Sequence, residues 1–119
     1  MKTMHFKPGE VVFDEDSNSD CAYLIEEGKF EVSRTSNGQK KVIGILKAKD
    51  VFGEMGLIDS QPRSATVTAL DESEVSVITQ DCFHTMERTN PEALVPLLRV
   101  LSARIRNSYK LLNMKSASF

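Results

Sequence analysis

The chain has 119 residues, 40% of them hydrophobic and 27% charged, which suits one compact domain with one core. Fifteen Lys and Arg against seventeen Asp and Glu leave a formal charge of -2, without the basic excess of a dedicated nucleic-acid binder. No run of about 18 apolar residues occurs, and the start MKTMHFKPGE has no apolar leader, so the expectation is a cytoplasmic protein with no membrane partner.

From Val11 to about Ile78 short apolar runs alternate with turn-formers, which predicts seven or eight short strands. Val11-Val12-Phe13 is followed by the polar run Asp14 to Asp20, then by Tyr23-Leu24-Ile25, Glu26-Glu27-Gly28 and Phe30-Glu31-Val32-Ser33. Asn37-Gly38 predicts a type I′ hairpin, because both central positions need positive φ; it should pair residues near 30 to 35 with residues near 40 to 46. After an irregular stretch from Asp50 to Arg63, Thr66 to Ala69 and Val75 to Ile78 resume the alternation, joined by a turn at Asp71-Glu72-Ser73. Cys21 and Cys82 stand far apart and outside any CxxC spacing, so both read as free packing residues in a reducing compartment.

Near Asp81 the period changes. Asp81 is placed to cap a short helix over 81–89, and Asn90-Pro91-Glu92 reads as the start of a long helix over 91–113, with a kink or a late start near Val95 because Pro96 lacks a backbone donor. Leu94, Leu98, Leu101, Ile105 and Leu112 follow steps of three and four, with Ser108 in the open place, as in a coiled-coil seam. Leu97, Val100 and Leu111 form an adjacent stripe, so one face can close on the sheet and the other on a partner helix in a homodimer. Arg99, Arg104, Arg106, Lys110 and Lys115 follow Glu92 with no acid between them; late cations complement a helix dipole, and no helix-turn-helix follows, so nucleic-acid binding by this chain alone is not expected.

Residues 52–67 break the strand pattern and carry the chemistry. Gly53 permits close backbone approach, and Glu54-Met55-Gly56-Leu57 suits one helical turn whose unpaired N–H groups face outward as an anion site. Pro62 fixes the chain before Arg63, and Ser64-Ala65 are small, so a guanidinium, a hydroxyl and free amides converge. The planar fork of Arg63 matches a phosphate, whereas Glu54 only accepts. A ligand with an anionic group and a hydroxyl would satisfy both.

Phe52-Gly53-Glu54, Gly56-Leu57 and Pro62 to Val67 resemble the phosphate-binding cassette of cyclic nucleotide-binding domains. The resemblance extends to Phe6-Lys7-Pro8-Gly9-Glu10, Tyr23-Leu24-Ile25, Gly28 and the short helix followed by a long one. It implies a mainly β fold, an eight-stranded antiparallel, jelly-roll-like β-roll with flanking α-helices, with residues 1–119 as one cyclic nucleotide-binding domain. It further implies a cyclic phosphate held by Arg63, Ser64 and amides of Gly53, Met55, Gly56 and Ala65, and a ribose 2′-hydroxyl held by Glu54. Counting along the long helix, Arg104 and Ser108 fall where the family reaches the base. The chain departs from the family at Asp14-Glu15-Asp16-Ser17, where a Gly is usual.

Lone His5 and His84 give no metal cluster, no P-loop or G-x-G-x-x-G is present, and no nucleophile has a recognisable base. The expected function is a non-enzymatic sensor without cofactor, whose ligand is cyclic AMP ahead of cyclic GMP and which couples binding to repacking of the C-terminal helix. The alternative is a family relative that binds no nucleotide and serves as a scaffold or oligomerisation module.

Overall fold

The computed structural model describes residues 2–54, 61–95, 98, 99, 102, 103 and 106. The chain divides into two compact units, Met1–Phe83 and His84–Phe119. The first is a β-roll of two four-stranded antiparallel sheets. Its strands are β1 (Lys2–Phe6), β2 (Val11–Phe13), β3 (Cys21–Glu27), β4 (Lys29–Ser36), β5 (Gln39–Lys47), β6 (Val51–Phe52), β7 (Thr66–Ala69) and β8 (Ser73–Thr79). One sheet runs β1-β8-β3-β6 and the other β2-β7-β4-β5.

The alternation of apolar residues decides which side of each strand meets the other sheet. Ile25, Val75 and Val77 of the first sheet and Phe30, Val67 and Ala69 of the second are all buried in one core. Phe30 and Val75 are wholly enclosed. A ring of aromatics crosses that core. Phe6 meets Phe30 edge-on at 6.1 Å, Phe30 meets Phe52 at 5.4 Å, and Phe52 stacks on Tyr23 at 5.0 Å. Phe13 closes the series, 5.8 Å from Phe52 and 5.9 Å from Tyr23. Packing of this kind adds about 0.5–1.5 kcal/mol per pair to the area term.

The hairpin forms as the Asn37-Gly38 signal requires: φ is +53° and +74° at the two central residues, and Ser36 pairs with Gln39. A bulge displaces the register between Val32 and Ser33, which pair with Gly44 and Val42 and leave Ile43 as the extra residue. Two strands escape the alternation rule. β1 precedes the predicted start at Val11 and pairs with β8 along its whole length, Lys2 with Val77 to Phe6 with Ser73. Its polar residues Lys2, Thr3 and His5 lie exposed, which masks the pattern. β6 has only two residues, too few for any period to show, yet both are buried and pair with β3. Ser73, expected in the turn, is instead the first residue of β8 and turns its hydroxyl back to the Asp71 carbonyl at 2.9 Å.

The short helix, α1 (Gln80–Thr89), begins one residue before the expected 81–89. Asp81 does not cap it. Thr79 Oγ1 accepts from the Cys82 N–H at 3.2 Å, three residues on, so Thr79 holds the cap and Asp81 sits in the first turn, where its charge suits the helix dipole. The segment after Asn90 also opens differently. Pro91–Leu94 is a 3₁₀ turn, the Asn90 side chain makes no capping bond, and its carbonyl takes the Ala93 N–H at 3.0 Å. Helical backbone follows at Val95, Leu98, Arg99, Ser102, Ala103 and Arg106, which agrees with a late start near Val95; the predicted end at 113 lies outside the described residues. Among the described residues no helix is long and apolar enough to cross a membrane.

Candidate functional site

Three strand ends deliver the site. β6 pairs with β3 through Tyr23 and Phe52, so the chain leaves the sheet at Gly53 close to the start of β3. β2 pairs with β7 through Phe13 and Val67, so the loop after Phe13 meets the residues that precede β7. Arg63 stands where these paths cross.

Arg63 is 5% exposed. Its Nη1 donates to the Gly53 carbonyl at 2.9 Å, and its Nη2 to the Cys21 carbonyl at 2.9 Å, with the Cys21 sulfur 3.8 Å away. The guanidinium carbon lies 4.1 Å from the centre of the Phe13 ring and 5.8 Å from that of Tyr23. Ring faces and carbonyl dipoles hold this cation in place, while its Nε is buried and has no hydrogen-bond partner among the described residues. A buried guanidinium with an unfilled donor is electrostatically suited to an anion. Burial pushes the Tyr23 hydroxyl far above its usual pKa, with Cys21 adding to the rise and Arg63 opposing it, so the ring beside the cation stays neutral.

Gly53 has φ +74°, and a Cβ built there would lie 2.4 Å from Arg63 Nη1 and 3.3 Å from the Phe13 ring. A side chain at this position would therefore meet the guanidinium of Arg63. Glu54 follows directly and is 2% exposed. Ala65 is buried and Ser64 exposed. Gly53, Glu54, Arg63, Ser64 and Ala65 are thus brought into one neighbourhood or adjoin it in the chain. Met55, Gly56, Arg104 and Ser108 lie outside the described residues.

The loop that departs from the family at Asp14 to Ser17 holds the backbone of Arg63. The Asp16 N–H donates to the Arg63 carbonyl at 2.8 Å, and the Arg63 N–H to the Ser17 carbonyl at 2.9 Å. Asp16 has φ +67°, the left-handed conformation that a glycine would adopt freely and that Asp tolerates better than most residues. Sequence reasoning missed this loop, as it missed Phe13 and the Cys21 carbonyl. Only the density of Asp, Ser and Asn after Phe13 signalled a tight turn, and a carbonyl contact carries no residue signature.

Residues 3–90 match the family model described as the cyclic nucleotide-binding domain. The chain is 29% identical over 109 residues to a CRP-like cAMP-activated global transcriptional regulator of Mycobacterium tuberculosis, covering 91% of this chain and 49% of that protein. It superposes on the catabolite activator protein of Thermus thermophilus with a TM-score of 0.86 at 25% identity, over 95% of this chain and 54% of the other. It also resembles the EAL enzyme Bd1971, described in a cAMP-bound form (TM-score 0.68, 29% identity, 95% and 31% covered) and in a cGMP-bound form (0.68, 30%, 87% and 28%). The chain spans about half the length of the first of these relatives. With the β-roll and the family match in agreement, the chain belongs to the cyclic nucleotide-binding domain family.

Proposed function

We propose that this chain is a non-enzymatic cyclic nucleotide sensor that binds cyclic AMP in preference to cyclic GMP. The observation that carries the reading is Arg63: a buried cation whose Nε has no partner among the described residues, fixed between the Gly53 carbonyl and the start of β3. In this reading Arg63 and Ser64, with amides of Gly53, Met55, Gly56 and Ala65, hold the cyclic phosphate, and Glu54 accepts from the ribose 2′-hydroxyl. The preference for cyclic AMP draws on the cAMP-activated relative; the EAL enzyme, described with either nucleotide, makes cyclic GMP the competing ligand to test. Residues 1–119 act as one regulatory unit, in which the segment after Asn90 carries the output, Arg104 and Ser108 reach toward the base, and the leucine seam supports a homodimer.

The ribose assignment is tested by titrating cyclic AMP and 2′-deoxy cyclic AMP into wild type and Glu54→Ala. Wild type should discriminate against the deoxy ligand by about tenfold or more, the worth of one charged hydrogen bond, and Glu54→Ala by much less. Equal affinity of wild type for the two ligands would remove Glu54 from its role. No saturable binding of either nucleotide would instead favour a scaffold, with Arg63 serving only to tie Gly53 to β3.

A further inference from the structure

Glu15 ties its loop to two strands of the roll. Its N–H donates to Thr66 Oγ1 at 2.9 Å, at the start of β7. Its Oε1 accepts from the Thr35 N–H at 3.1 Å, and its Oε2 lies 3.6 Å from Arg34 Nε, both near the end of β4. The carboxylate is largely shielded, its side chain 21% exposed, while that of Arg34 is 59% exposed. The next residue, Asp16, donates to the Arg63 carbonyl, and Ser17 after it accepts the Arg63 N–H. Both backbone polar groups of Arg63 are therefore bound to a loop whose own position is set from two sides, by β7 through the Glu15 amide and by the β4–β5 hairpin through the Glu15 carboxylate.

We infer that Glu15 is a positioning residue for nucleotide binding: by anchoring the loop over 14–17 to the hairpin, it fixes the backbone of Arg63 and hence the reach of its guanidinium to the phosphate. The inference rests on the reading of Arg63 as the phosphate's partner. A bidentate fork needs its origin held within a fraction of an ångström, because two parallel hydrogen bonds tolerate little translation. The guanidinium is held from one side by the Gly53 and Cys21 carbonyls, and the loop supplies the hold on the main chain. Without the Glu15 carboxylate the loop keeps its short bonds to Arg63 and its amide bond to Thr66 but loses its tie to β4, so loop and arginine are held less tightly on the hairpin side. The hairpin then becomes a handle on the site, since strain at Arg34 and Thr35 passes through one carboxylate to Arg63.

The test is the affinity for cyclic AMP, by calorimetry, of wild type, Glu15→Ala, Glu15→Gln and Glu31→Ala, with the melting temperature of each unliganded protein measured alongside. Glu31→Ala breaks the Lys40–Glu31 ion pair (2.6 Å) on the same hairpin and serves as the structural control. Glu15→Ala should bind cyclic AMP about tenfold more weakly, a shift of about 1.4 kcal/mol, and Glu15→Gln, which keeps an acceptor for the Thr35 N–H, should recover to within about threefold of wild type. Glu31→Ala should bind as wild type does even if it melts lower. In the Arg63→Lys background, where the fork is already lost, Glu15→Ala should cost less than about threefold further. Unchanged affinity in Glu15→Ala, or an equal loss in Glu31→Ala, would overturn the positioning role. A wild type that binds no cyclic nucleotide would refute the reading beneath it.

Discussion

The Nη1 of Arg63 donates to the carbonyl of Gly53 at 2.9 Å, and the left-handed backbone of Gly53, at φ +74°, turns that carbonyl toward the guanidinium. The two ends of the cassette, ten residues apart in sequence, are joined by this bond. It also explains why the position needs a glycine. A side chain there would meet the cation itself at 2.4 Å, and no L residue adopts this backbone without strain.

Gly53→Ala should therefore lower stability by about 1–2 kcal/mol, the usual cost of left-handed backbone in a residue with a Cβ. The added methyl also pushes Arg63 Nη1 off the Gly53 carbonyl, so cyclic nucleotide affinity should fall as well. Urea unfolding and titration calorimetry on the same preparation separate the two effects. A variant as stable and as tight-binding as wild type would show that the guanidinium is not held where the structure has it.

The stability of the roll should depend on the ionisation of Tyr23. Burial raises its folded-state pKa far above the unfolded value of about 10, so the folded form keeps a proton that the unfolded form loses. The contribution is fully present below about pH 10 and is lost as pH rises from there toward the folded value. Between pH 9 and pH 11 wild type should lose up to about 1.4 kcal/mol more than Tyr23→Phe, which has no proton to release. Denaturant unfolding of the two proteins at pH 9 and pH 11 measures the difference. Parallel pH profiles would place the hydroxyl in solvent.

Much of this architecture is readable from the chain because its signals are local. Asn37-Gly38 marks a turn whose φ values only such residues take easily, and the alternation of β7 names its buried face, Val67 and Ala69. Gly53 is similarly legible, because its positive φ and the guanidinium beside it leave no place for a side chain. What stays hidden depends on distant partners. β1 is a strand because β8 offers it hydrogen bonds, in spite of its exposed polar side chains. The loop from Asp14 to Ser17 reads as a generic polar turn, yet its amides and carbonyls meet Arg63 nearly fifty residues on. Thr79 outcompetes Asp81 as the helix cap because α1 starts one residue earlier, a boundary that periodicity does not fix.

The proposed homodimer has a direct check at Leu98, which is helical and 61% exposed in the single chain. If the leucine seam closes on a second copy, sedimentation with cyclic AMP present should give a dimer for wild type and a monomer for Leu98→Glu, because a carboxylate at a buried seam is costly. A wild type that remains monomeric at high protein concentration would rule out this use of the helix.

The central claim is that Arg63 receives the phosphate of a cyclic nucleotide, and the most direct measurement is a calorimetric titration of wild type and Arg63→Lys with cyclic AMP and cyclic GMP. Wild type should give a saturable one-to-one isotherm, tighter with cyclic AMP. Arg63→Lys, which keeps the charge but loses the planar fork, should bind about 1.5 to 3 kcal/mol more weakly while remaining folded. No saturable heat with either nucleotide, or equal affinity in wild type and Arg63→Lys, would contradict it.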